Sequence, residues 1–370
     1  MDKKNIGIIT ITDGHNYGNK LQNYALQKYC EEALGLNVYT LKNDWYTNNK
    51  KNYYFNMAKY FIYSTKCKAK SIVKTITREQ NILIKRNRLK NFKKFCRYIN
   101  FYPKKITAYT NLDNFDYIVV GSDQVWNPHF HRLSEVDLLM NIDPNKRVSY
   151  SASFGIDVLP DIYQDAVKEE VSKFKAISTR EDKGKEIIKK LTGRDDVEVL
   201  IDPTMLLTTD EWDKLIAKPV QLQSNKYILT YFLGKLSENR KKEIERIANE
   251  NSCEIINLMD KRSKFHECNP SEFLYLEKNA FLVCTDSFHS SVFAFLYNTP
   301  FVIFEREDST KKMNSRIDTL LTKFNIKNRV FDGKITEKNL KNDYSEGYKI
   351  LEEERKKSNE FLRNALNIKR

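Results

Sequence analysis

Residues 7–27, GIITITDGHNYGNKLQNYALQ, decide the fold. An apolar run, Asn5–Ile11, stops at the polar turn Thr12–Gly18, and an amphipathic stretch follows from Asn19 to Leu34. Leu21, Ala25, Tyr29 and Ala33 recur at the four-residue spacing that lines one face of a helix. Asn19 is a suitable N-cap, and Gly35 suits the position just past the helix end. NVYTL (37–41) then predicts a second strand, so the chain opens as β-α-β, the start of a parallel sheet with helices on its faces.

A second stretch, FLVCTDSFHSSVFAFLYNTP (281–300), has the same order of buried strand, polar turn and helix. Each turn carries a histidine, His15 in the first and His289 in the second. Ligands of open α/β sheets bind beyond the carboxyl ends of the strands. Two such turns far apart in sequence predict a cleft between two domains.

The elements between and after them fit that plan. Short strands are predicted at Asp116–Val120, Arg147–Ala152, Lys175–Thr179 and Val197–Ile201, with a helix over Ile162–Phe174. YILTYFLG (227–234) starts a second α/β series: a helix over Ser237–Glu250, the strand CEIINL, a helix near Pro270–Lys278, the strand AFLVC, the helix after His289 and the strand FVIF. The expected organisation is an N-terminal Rossmann-like domain over 1–220, a C-terminal one over 221–340, and a charged terminal helix within 341–370. A chain of 370 residues is long enough for two such cores.

The charge is uneven. Residues 46–109 carry 17 Lys and Arg against the single acid Glu79, or +16, which leaves −2 for the rest of a +14 chain. Aromatics run through the segment, including Tyr53, Tyr54, Phe55, Phe92, Phe95 and Tyr98, and helices are predicted over Tyr54–Ser64 and Arg78–Arg97. It has three readings: a nucleic-acid surface, a solvated helical hairpin, or a face lying on anionic lipid. Nucleic acid is disfavoured because no reader motif is present and the rest of the chain is not basic. Interfacial aromatics beside lysines favour the lipid surface.

Several classes are excluded. No apolar run approaches the roughly 20 residues that span a bilayer, and MDKKNIGIIT does not resemble a signal peptide. The six cysteines form no CxxC pair and suit a reducing cytoplasm. The five histidines lack metal-ligand spacing, and DGHNYGN lacks the GxGxxG of dinucleotide sites, so neither a metal nor an organic cofactor is expected.

Candidate site residues follow the strand ends. In the first turn Asp13, His15, Asn16, Gly18 and Asn19 supply hydrogen-bonding groups or close backbone approach. In the second, Asp286 or Ser287 can cap the helix, whose first N–H groups form an anion site, with Ser290 beside them. His289 there can hold a proton near neutral pH. Arg180, Arg306 and Arg316 are candidate anion clamps, Arg180 foremost because it directly follows the strand KAIST. Ser122 and Asp123 follow another strand, where Asp123 can take a proton from a sugar hydroxyl; Trp126 can stack on a sugar or simply pack.

These stretches, with GSDQVWNP, SYSASFG, STREDKG, IDPT, FERED and NSRIDTL, resemble the polysaccharide pyruvyl transferase family in order and spacing. The resemblance implies an α/β fold of two Rossmann-like domains facing a cleft, as in GT-B glycosyltransferases. It implies transfer of an enolpyruvyl group from phosphoenolpyruvate to a sugar diol, giving a pyruvate ketal and phosphate. The family's histidine maps onto His289 and its anion-binding arginine onto Arg180. Many members carry arginine two residues before the histidine; here that residue is Ser287, and Arg306, Arg316 or Ser287 with backbone N–H groups can substitute. The expected acceptor is a lipid-linked oligosaccharide, handled in the cytoplasm at the inner membrane face, with Asp13, His15 or Asp123 taking the acceptor's proton. The alternatives are a GT-B glycosyltransferase using a nucleotide-sugar and a basic scaffold binding membrane or RNA.

Overall fold

The opening β-α-β forms as the sequence predicts in the computed structural model, which describes residues 3–12, 14–43, 74–130, 133–307 and 315–369. Strands β1 (Asn5–Ile9) and β2 (Asn37–Asn43) lie parallel and are joined by α1 (Tyr17–Glu32). The helix starts two residues earlier than expected. Its cap is Asn16, whose side chain accepts the Asn19 backbone N–H at 3.3 Å, so the Asn19 side chain is available for another bond. Asp13 and the predicted helix over Tyr54–Ser64 lie outside the described residues.

The first half continues through α2 (Lys74–Phe95), β3 (Phe101–Ile106), β4 (Tyr117–Val120), β5 (Arg147–Ala152), α3 (Asp161–Val171), β6 (Ala176–Thr179), α4 (Asp182–Thr192) and β7 (Glu198–Val199). All pairings are parallel, in the order β3-β2-β1-β4-β5-β6-β7. The order reverses between β1 and β4, which is where a doubly wound sheet opens a crevice. Every residue of β4 and β5 is buried, as befits strands covered on both faces. The predicted strand over Val197–Ile201 pairs only at Glu198–Val199, because the chain leaves the sheet edge to enter the Asp202 loop.

After α5 (Thr209–Asp213) the second half runs β8 (Tyr227–Tyr231), α6 (Glu238–Glu250), β9 (Glu254–Asn257), α7 (Pro270–Asn279), β10 (Leu282–Thr285), α8 (Phe288–Leu296) and β11 (Phe301–Ile303). These four strands are also parallel, in the order β11-β10-β8-β9. Helices α9 (Ser315–Lys323), α10 (Glu337–Leu340) and α11 (Ser345–Ala365) follow. The protein is thus an α/β chain of two Rossmann-like sheets, GT-B-like in plan.

The two halves share a core. Tyr17 of α1 stacks on Phe273 of α7 (centroids 4.4 Å apart), and Trp212 of α5 lies between Tyr24 of α1 (5.8 Å) and Phe293 of α8 (5.1 Å). Helix α11 returns to the first half. Lys4 and Lys175 donate to the carbonyls of Leu366 (2.9 Å) and Ala365 (2.7 Å), and Arg355 donates to those of Met205 and Leu207. Cations thereby satisfy carbonyls that a helix end leaves unpaired.

Two expectations for aromatics change. Phe92 and Phe95 of α2, read as interfacial, are 1% and 2% exposed and belong to the shared core. Trp126 is fully buried against Phe154 and Phe174, with its Nε1–H donated to the Asp137 carbonyl (3.0 Å), so it packs and presents no ring to a ligand.

Candidate active site

The ends of β4, β6 and β7 meet the start of α8 in one buried polar junction. Arg180, just past β6, donates to Asp202 Oδ2 (2.7 Å) and Asp123 Oδ1 (3.2 Å). Asp202 Oδ2 also accepts from Ser122 Oγ (3.0 Å), while Oδ1 accepts the N–H and hydroxyl of Thr204 (3.0 and 2.8 Å). Asp123 Oδ2 accepts from the Asn19 amide at the start of α1 (3.0 Å). His289 Nε2, from the other half of the molecule, stands 3.6 Å from Asp202 Oδ2. Carboxyl ends of both sheets therefore face one another across this junction.

His289 reaches that position because residue 18 is glycine. A Cβ at Gly18 would lie 2.0 Å from His289 Nδ1 and within 2.5 Å of Cγ and Cε1. The two histidine-bearing turns are thus in contact, but through Gly18 and His289, with His15 elsewhere. The His15 ring meets the edge of Phe92 (6.5 Å) in α2, and its carbonyl accepts from Arg88 (3.2 Å). Burial, then the neighbouring Arg88 and Lys85, hold its pKa below the ordinary histidine value. Asp123 sits at φ 71, a left-handed conformation costly for a residue with a side chain, which suits a position fixed by its bonds.

Burial by itself would raise the Asp202 and Asp123 carboxyls. The cationic neighbours outweigh it: His289 and Arg180 hold Asp202 far below the carboxylate range, and Arg180, His289 and Arg316 hold Asp123 down. Glu181 is different. Its Oε1 accepts from Ser153 Oγ and the N–H groups of Phe154 and Gly155 (2.9–3.2 Å), yet full burial pushes its pKa up. Arg316, 8% exposed at the start of α9, has no ion pair among the described residues. Burial, and next the cation of Arg180, push its pKa down to about 10.

Arg180 Nε, Arg316 Nε, Glu181 Oε2 and His289 Nε2 are all buried without a hydrogen-bond partner among the described residues. Buried polar atoms are nearly always paired, so these three nitrogens and one carboxyl oxygen leave hydrogen-bonding capacity that a polar ligand can meet. The start of α8 adds to it. Ser287 occupies the cap position without a side-chain cap bond and α8 has no acid in its first turn, an arrangement that favours anions.

Other candidates are engaged elsewhere. Ser290 Oγ donates to Glu277 Oε1 of α7 at 2.5 Å, within the second half. Arg306 Nε donates to Asp286 (3.0 Å), and Asp286 accepts the N–H groups of Leu233 and Gly234, so it ties the loop after β8 and does not cap α8. The described residues contain no cluster of His, Cys, Asp or Glu able to hold a metal ion. Asp202 lies in the IDPT stretch, to which the strand-end rule that selected Asp123 applies equally. Glu181, beside Arg180 in the same strand-end turn, falls under that rule too, whereas Arg88 carried no such signal.

Fold and site together define a two-sheet α/β protein with a buried, arginine-bearing polar junction between facing strand ends. The family model for polysaccharide pyruvyl transferase matches residues 16–309, and the chain belongs to that family. Among solved structures, a protein assigned as a UDP-N-acetylglucosamine 2-epimerase from Listeria monocytogenes is similar at 11% identity and TM-score 0.49, over 98% of this chain and 91% of that one. The UDP-GlcNAc 2-epimerase of Neisseria meningitidis, bound to UDP-GlcNAc, is similar at 10% identity and TM-score 0.42, over 99% and 98%. Comparison with curated proteins returned no match.

Proposed function

We propose that the protein transfers a pyruvyl group from phosphoenolpyruvate to a sugar diol of a glycan precursor. The observation that carries this reading is the unpaired, buried Arg316 beside Arg180, His289 and the open start of α8. Phosphoenolpyruvate carries a carboxylate and a phosphate, and two guanidinium groups with a helix N-terminus suit both. Arg316 takes the place of the cation absent at Ser287. Arg306 contributes less, because its Nε is held by Asp286.

In this reading His289 delivers a proton to the methylene carbon of the donor. The C2 centre becomes electron-poor, and a sugar hydroxyl oxygen bonds to it. The C2–O bond to phosphate then breaks and the second hydroxyl closes the ketal. Of the two hydroxyl protons, one balances that given to the methylene and the other leaves with phosphate. Asp202 Oδ2 lies 3.6 Å from His289 Nε2. Both Asp123 oxygens are engaged, so Asp123 holds Arg180 and Asn19 in place, and of the candidates read from sequence Asp13 and His15 are left for acceptor deprotonation.

The acceptor is read as a lipid-linked sugar at an anionic membrane surface. Lys85, Arg86, Lys90, Lys93, Lys94 and Arg97 are exposed on or just after α2, the helix that packs against the His15 turn. No helix of the described residues is long and apolar enough to cross a membrane. The test is incubation with phosphoenolpyruvate and lipid-linked or soluble sugars, following phosphate release and acceptor mass. Ketal formation that His289→Ala abolishes supports the reading. Turnover of a UDP-sugar, with no ketal on any acceptor, overturns it.

A further inference from the structure

Helix α2 emerges from the basic segment and lies across both halves of the molecule. Its Arg88 is 5% exposed. The guanidinium carbon sits 5.0 Å from the ring centroids of both Tyr17 and Phe92. One terminal nitrogen donates to the His15 carbonyl of the first half (3.2 Å). The other donates to the Tyr17 hydroxyl (3.4 Å) and to the His266 carbonyl of the second half. The Tyr17 hydroxyl in turn donates to the Cys268 carbonyl (2.9 Å). Asn87 and Asn91, flanking Arg88, donate to the side chain and carbonyl of Glu267 (3.1 and 2.9 Å).

No carboxylate pairs with Arg88 among the described residues. A buried cation without a counter-ion is costly, and here carbonyls from two distant parts of the chain and two aromatic faces offset that cost. Only a planar fork of donors can lie against both rings, themselves 4.9 Å apart, while serving acceptors in different directions; a lysine ammonium cannot. The turn held on one side, Gly14–Tyr17, leads directly to Gly18, on which His289 rests.

We propose that Arg88 is a positioning residue that clasps the two halves together, fixing the Gly14–Tyr17 turn against the Lys264–Cys268 turn and so setting the cleft width at the acceptor side. Its kinetic consequence rests on the pyruvyl-transfer reading, whereas its structural consequence does not.

The test compares the full-length protein with Arg88→Lys and Asn91→Ala by amide hydrogen exchange, small-angle scattering and steady-state kinetics. In Arg88→Lys, exchange should rise about tenfold or more in residues 14–18 and 264–268 together, while β4, β5 and β10 stay protected. The scattering profile should broaden, and the acceptor KM should rise about tenfold with the phosphoenolpyruvate KM within about twofold. Asn91→Ala removes one flanking bond without touching the buried cation; it should show the same pattern more weakly, and it decides the matter if Arg88→Lys does not fold. Unchanged exchange in both turns overturns the clasp, as does exchange that rises uniformly through both sheets. If neither protein makes a ketal, the exchange result still decides the clasp, and only the pyruvyl-transfer reading is lost.

Discussion

Gly18→Ala puts the meeting of the two halves to a direct test. Residue 18 lies in the first turn of α1 in an ordinary helical conformation, where alanine is preferred over glycine by about 1 kcal/mol. Local propensity alone therefore predicts stabilisation. The tertiary structure predicts otherwise, because the new methyl would stand 2.0 Å from His289 Nδ1. Carbon contacts settle near 3.5–4.0 Å, so the imidazole must move by about 1.5 Å or the halves must part. Overpacking of this kind costs about 1–3 kcal/mol, giving a net change of about 0–2 kcal/mol of destabilisation. Activity should fall further, by about 10²-fold, since a displacement near 1 Å of a reacting group has that effect. The assay is urea unfolding of four proteins: the parent, Gly18→Ala, His289→Ala and the double variant. Without the imidazole the methyl has room, so Gly18→Ala should stabilise the His289→Ala background. The resulting coupling should be about 1–3 kcal/mol. Effects additive within about 0.5 kcal/mol would refute the reasoning, because they would mean that the methyl and the imidazole do not meet.

Three further outcomes are expected. Asp202→Asn leaves Arg180 with Asp123 as its one carboxylate and should cost about 3–5 kcal/mol at pH 7. The Asp202 carboxyl is held low in the folded protein, so its stabilisation is present above the unfolded carboxylate value and is lost as pH falls; the deficit of the variant should shrink between about pH 4 and pH 2 in urea titrations. Burial pushes the Glu277 pKa well up, so its proton-linked stability is present in acid and fades above about pH 4.5; Glu277→Gln should gain on the parent as pH rises, by up to about 1.4 kcal/mol per unit, and a pH-independent difference in thermal midpoint would count against this. Arg316→Met should unfold no more easily than the parent when no ligand is added, yet lose most of the thermal stabilisation conferred by phosphoenolpyruvate, with charge-assisted bonds of about 1.5–3 kcal/mol at stake. Equal protection of both proteins would remove Arg316 from the anion site.

Much of the fold was legible because its strands are short, buried and followed by turn residues. The burial that makes β1, β8 and β10 apolar runs is itself a property of parallel sheets. Strand β3 gave a weaker signal: its sequence FYPKKI has three exposed residues at the sheet edge. The cap of α1 was misplaced by three residues, since Asn16 and Asn19 are chemically equivalent candidates and only the position of Asp123 separates their roles.

By itself the sequence determined the order of strand, turn and helix, and which polar residues follow the strands, Arg180 and His289 among them. The tertiary structure decided which of those groups meet. It brought Asp202 between Arg180 and His289, set Gly18 rather than His15 against the imidazole, turned Ser290 toward Glu277 and joined Arg306 to Asp286. It also divided the basic segment: α2 gives Phe92, Phe95 and Arg88 to the core between the halves and leaves Lys85, Lys90, Lys93 and Lys94 outside. The physical reason is one of range. Strand, turn and helix follow from neighbours a few residues apart. Pairing among buried charges depends on contacts between elements up to hundreds of residues apart, which no local pattern records.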